Sequence, residues 1–139
     1  MNNAQRQKID YVIGLINTLK WHLTSAKSER DDDILPALKR CSDEVTTIQE
    51  HVRAVVSNEF SANRNVPLNL KDAFIPQDIG FALRYLAEAQ AGLRKVSNGL
   101  SETESKLMPI LWDIENDSID FIIEDLDDIV SSLRDAQDQ

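Results

Sequence analysis

The stretch LKRCSDEVTTIQEHVRAV, residues 38–55, decides the fold. Its apolar side chains are Leu38, Cys41, Val45, Ile48, Val52 and Val55, and they recur at alternating steps of three and four. That spacing lays them along one stripe of an α-helix, the pattern of a bundle or coiled-coil seam. Just upstream, Asp31, Asp32 and Asp33 suit a helix start. One of them can cap free backbone N–H groups, and all three favour the positive end of the helix dipole. Pro36 falls within or next to the first turn, where a missing N–H costs least. The pattern predicts a helix over about 32–59.

Working outward, the same seam returns three times. Ile9, Val12, Ile16, Leu19, Leu23 and Ala26 predict a helix over about 3–28. Ile79, Ala82, Leu86, Ala89, Leu93, Val96 and Leu100 predict another from Pro76 to about residue 98, with Gly99 as a left-handed stop. Ala82, Ala87, Ala89, Ala91 and Gly92 keep this third helix slim, so a neighbour can approach closely. Ser101-Glu102-Thr103-Glu104 matches a capping box and predicts a fourth helix over about 102–136. Pro109 lies inside that span, so either the helix kinks there or its start is nearer Ser105. Its apolar face is Leu111, Ile114, Ile119, Ile122, Leu126, Ile129 and Leu133, widened by Ile123 and Val130.

Four helices that each carry one apolar stripe are stable only when they bury those stripes together. The expected fold is therefore all-α, a single four-helix bundle spanning residues 1–139. Short links join helices 1–2 and 3–4, which implies two antiparallel hairpins. Residues 61–75 break the periodicity yet carry Val66, Leu68, Leu70, Phe74 and Ile75. A long ordered connection that buries those groups on the bundle is expected there.

Composition bounds the function. The single Cys41 leaves no internal disulfide and fits a reducing compartment. The first residues are polar and no apolar run approaches ~18 residues, so neither a signal peptide nor a membrane span is expected. The expected setting is the cytoplasm. The net charge of −9 opposes direct binding to nucleic acid or anionic lipid, because the phosphate contribution would be repulsive.

That charge is concentrated in one place. Residues 113–139 hold ten carboxylates and one base, Arg134, while the preceding residues hold fourteen acids and fourteen bases. The chain reads as a neutral body carrying one negative rod. Asp113, Asp117, Asp120, Glu124 and Asp127 form a rail at helical spacing, with Asp128 beside it. Like charges at these steps cost a few tenths of a kcal/mol each. The rail is either a solvated face or a surface shaped for a basic protein. A second candidate surface lies on helix 1. Tyr11, Gly14, Thr18, Trp21 and Ser25 share the face opposite its seam, and Trp is a frequent interface anchor. The other reading is that the 61–75 connection covers Trp21.

Chemical sites fare less well. His51 is followed by Val52, Arg53, Ala54 and Val55, without the Lys and Gly of a phosphotransfer histidine. Neither His22 nor His51 has a Glu three residues before it, as a di-iron bundle requires. Asp113, Glu115, Asp117 and Glu124 match four positions of a calcium loop, but Ser118 stands where that loop needs Gly. Cys41 sits on a seam with no His beside it in sequence, which favours an inert buried thiol. The sequence therefore predicts no enzyme activity, cofactor or metal. It predicts a binding protein acting through protein–protein contacts. The most concrete version is an acidic inhibitor or antidote, immunity-like or a nucleic-acid mimic, that masks a basic partner. The alternative is a structural or signalling bundle that forms a homodimer or larger assembly through its seams or Trp21.

Overall fold

The computed structural model describes residues 3–27, 31–61, 77–102 and 108–138, with side chains in these spans except at 31–33, 56–61, 102 and 108–114. Four α-helices make up the fold: α1 Asn3–Ala26, α2 Asp31–Ser61, α3 Gln77–Glu102 and α4 Met108–Gln137. The chain is an all-α four-helix bundle. The expected 61–75 connection lies, from residue 62 on, outside the described residues.

The seams read from the sequence form the core. On α2, Leu38, Cys41, Val45, Ile48, Val52 and Val55 are all buried. They meet the stripes Ile9–Ala26 of α1, Ile79–Leu100 of α3 and Ile119–Ala136 of α4 in one cluster. Ile123 and Val130 are half-buried and widen the α4 stripe. Burying a side chain of this kind stabilises the fold by roughly 1.5–3 kcal/mol. Threonines on the helices return their hydroxyls to carbonyls one turn back, as Thr18 does to Gly14 at 3.1 Å and Thr24 to Lys20 at 2.9 Å. Local bonds of this kind satisfy the hydroxyls without a cap or turn.

Each helix packs on two neighbours in the cyclic order α1, α2, α3, α4, with α4 returning to α1. Cross-helix bonds give the directions. Gln5 donates to the Val55 carbonyl at 3.2 Å, and His22 meets Glu44 nearer the other end, so α1 and α2 run antiparallel. Gln90 donates to the Ser42 carbonyl at 3.1 Å and to the Thr46 hydroxyl at 2.6 Å, tying α3 to α2. On the far side, Arg6 reaches the Gln137 carbonyl, Lys20 reaches Asp127, and Lys27 reaches Asp120. These pairs set α4 antiparallel to α1.

Two helix ends depart from the sequence expectations. Gly99 does not stop α3, which continues to Glu102, and no glycine among the described residues has a positive φ. The reason is Leu100, which is fully buried in step with the seam, so the added turn gains core contact. Ser101, expected to cap α4, instead donates to the Asn98 carbonyl at 3.0 Å within that last turn. α4 spans Met108–Gln137, and Glu102 belongs to α3, so the helix does not start there; the alternative start near Ser105 lies outside the described residues. Pro109 then falls in the first turn, where it breaks no helical hydrogen bond. Pro36 lies one step deeper than a first turn, as the sixth residue of α2, and faces solvent.

Candidate functional site

The rail on α4 divides into two groups. Asp120 and Asp127 are half-exposed, and each takes an ion pair from α1, Asp120 from Lys27 and Asp127 from Lys20. Both pairs are separated by seven residues, two turns on each helix, so they repeat along the seam at one register. These two acids therefore have a structural task that the sequence did not reveal. They latch α4 to α1 along the sparsest of the four helix–helix seams. Exposed pairs of this sort are worth about 0–1 kcal/mol each, so the latch sets register more than stability.

The second group points away from the bundle. Asp117, Glu124 and Asp128 are exposed and make no ion pair among the described residues. Asp113 belongs to α4, but its side chain lies outside the described ones. Among these acids stands Phe121, 66 % exposed. Asp117, Phe121, Glu124 and Asp128 follow one another at steps of four, three and four, so they form one outward stripe. The sequence reading passed over Phe121 because it attended to the charges. Its signal was present: Phe121 lies between the seam residues Ile119 and Ile122, at a position the seam cannot bury.

Asp125, at the edge of this stripe, reports the field. Partial burial, followed by the negative charges of Asp128, Glu88 and Glu124, pushes its carboxyl above the ordinary range. Glu88 belongs to α3, so the acidic surface extends past α4 onto its neighbour.

On α1, Trp21 is 67 % exposed. It follows Lys20 directly, just as Phe121 follows Asp120. Trp21 lies on the α1/α2 side of the bundle, where it borders a hollow with His22, Ala37, Arg40 and Glu44, so Trp21 and the rail of α4 are separate surfaces, as read from the sequence. Tyr11 also lies on α1. It is 53 % exposed but turns toward α2, where its ring meets His51 edge-on at 5.1 Å and Lys8 lies 5.5 Å from the ring centre. Tyr11 is occupied by contacts within the chain, and Trp21 is tilted against His22 at 5.5 Å.

The remaining reactive groups are held inside the α1/α2 seam. Burial, reinforced by Glu44 and opposed by Arg40, pushes the Cys41 thiol up to about 12, so it stays protonated. His22 Nδ1 stands 2.6 Å from Glu44 Oε1. A carboxylate can only accept, so the imidazole donates from Nδ1. Among the described residues no three His, Cys, Asp or Glu side chains are placed to hold a metal ion, and no helix is long and apolar enough to cross a membrane. Compared with protein-family models, curated proteins and solved structures, the chain matches none of them.

Proposed function

We propose that the chain is a non-enzymatic binding protein that covers a basic protein partner with the outward face of α4. One observation carries this reading: a strongly exposed aromatic, Phe121, stands in one stripe of α4 with the exposed carboxylates Asp117, Glu124 and Asp128. A face kept only for solubility favours charge and excludes large exposed aromatics. Interfaces have the opposite habit, with aromatic anchors dominating the binding energy and charged groups steering approach. Among the described residues Asp117, Glu124 and Asp128 pair with no cation, so a partner's Arg and Lys groups can meet them without breaking the bundle. Phe121, within the same stripe, supplies the apolar anchor.

The most concrete form is an inhibitor or antidote for a nucleic-acid-handling protein. Such proteins present rows of cations for phosphates, and a row of carboxylates can occupy them in place of nucleic acid. The analogy is one of charge and class.

The test is affinity capture at low and high salt with three baits: the parent, Phe121→Ala, and Asp117→Asn with Glu124→Gln and Asp128→Asn. The expected result is a basic protein retained by the parent at low salt and lost from both variants. Equal capture by all three baits would refute the face. Light scattering on the free chain separates the competing self-association reading, since a second copy docked through Trp21 would double the mass.

A further inference from the structure

We infer that the outer groove between α2 and α3 binds a phosphate monoester. Gln90 fixes the register of these two helices, because it donates to the Ser42 carbonyl and to the Thr46 hydroxyl. Beyond this bridge the groove opens into one hollow of about 420 Å³, within the range of small-ligand sites. Residues 35–43 of α2 and 94–101 of α3 line it, so the two helices run antiparallel. Arg94 is four residues on from Gln90, and Lys39 is three residues back from Ser42. Both cations therefore stand about one turn past the bridge, on opposite walls of the same hollow.

The lining is rich in donors. Lys39 and Arg94 are exposed, and neither makes an ion pair among the described residues. Ser42 and Ser97, both half-buried, add a hydroxyl from each wall. Asp43 is the only carboxylate that lines the hollow among the described residues, so two cations against one acid leave a positive site. The acid excess of the chain lies on α4, which packs against α1 and α3. Exposed charges more than about 8 Å away are largely screened at physiological salt, so the local sign decides. Phosphate suits this set. Its three terminal oxygens accept donors from both walls at once, and the bonds from Lys and Arg are charge-assisted. Leu35, one turn beyond Lys39, gives the alcohol part of the ester an apolar surface. The site is independent of the acidic stripe on α4.

The probe is phenyl phosphate, titrated into the full chain at constant ionic strength and followed by amide NMR, with phenol as its uncharged twin. Saturable shifts are expected over residues 35–43 and 94–101, with a dissociation constant of about millimolar order. Phenol should give none there. Lys39→Gln and Arg94→Gln should each weaken binding about three-fold or more, because a charge-assisted hydrogen bond is lost. Together they should abolish saturation. Asp43→Asn should tighten binding about two-fold, as expected for removal of one exposed like charge. All three positions are exposed, so the variants keep the fold. A phosphoserine pentapeptide with blocked ends distinguishes the ligand's source. Tighter binding of the peptide assigns the hollow to a phosphorylated side chain of another protein, and tighter binding of phenyl phosphate assigns it to a small molecule. Absence of saturable shifts overturns the proposal. So do shifts confined to other residues, equal shifts with phenol, or a Lys39→Gln, Arg94→Gln double variant that binds as the parent does.

Discussion

Gly92→Ala should stabilise the protein, and the size of the gain measures how firmly α3 and α4 are pressed together. Gly92 lies in the interior of α3, where glycine costs about 0.8–1.0 kcal/mol against alanine. A Cβ at this position would stand 3.2 Å from Ile122 Cδ1 and 3.5 Å from Ile122 Cγ1. The first contact is too tight by a few tenths of an ångström. The atom concerned is the far end of an isoleucine side chain, which yields by a small torsional shift costing about 0.5 kcal/mol. The expected net gain is therefore about 0.3–0.5 kcal/mol. Gly14→Ala supplies the reference. Gly14 is in the interior of α1, and its new Cβ would meet nothing within 4 Å, so it should return the full propensity gain of about 0.8–1.0 kcal/mol. Urea unfolding of both variants beside the parent gives the difference directly. A Gly92→Ala variant more stable than Gly14→Ala would refute the close approach of α3 and α4. A loss of more than about 1 kcal/mol would show that Ile122 cannot yield, as in an overpacked core.

Three further outcomes follow from the same geometry. Neutralising Asp120 and Asp127 together should cost up to about 1 kcal/mol per lost pair, whereas neutralising Asp117, Glu124 and Asp128 should leave stability unchanged or slightly raised. Denaturation at low salt tests this, and equal effects of the two variants would remove the distinction between latched and free acids. Asp125 sets a pH dependence whose sign is fixed. Its folded carboxyl holds a proton more tightly than the unfolded one, so this group makes stability fall as pH rises from the ordinary carboxylate value through the raised one. Asp125→Asn should remove that fall and stabilise the protein at neutral pH. A variant with the parent's pH profile would contradict the assignment. Cys41, buried and held protonated, should resist a thiol reagent at pH 8 in the native protein and react readily in denaturant. Rapid native labelling would mean that the α1/α2 seam opens.

The seams were legible because one physical rule governs them: an apolar stripe at three-four spacing has to be buried. Leu38 to Val55 obeyed it without exception. Helix ends were less legible because local preference competes there with burial. Gly99 favours a stop, but the burial of Leu100 carries α3 onward to Glu102. The candidate site was legible in its charges and hidden in its relations. Nothing in the sequence pairs Lys20 with Asp127, since that pairing depends on which helices are neighbours and in which register. Once α1 lies beside α4, two of the carboxylates become latches, while Asp117, Glu124 and Asp128 make no ion pair among the described residues. Tyr11 and Trp21 carried the same pattern on paper, and each is exposed while meeting a histidine of the chain, His51 and His22 respectively. Phe121 could have been found by asking which apolar residue the α4 seam leaves out.

The central claim is that the outward face of α4 receives a basic protein. The most direct measurement is the association rate of a captured partner at roughly 0.05 M and 0.3 M salt, because screening shortens the reach of charge between those conditions. The parent should associate faster at low salt. Neutralising Asp117, Glu124 and Asp128 should slow association and flatten the salt dependence. Phe121→Ala should leave association nearly unchanged and speed dissociation, as loss of an anchor does. A partner that binds the parent and both variants with the same rates at both salt concentrations would contradict the account.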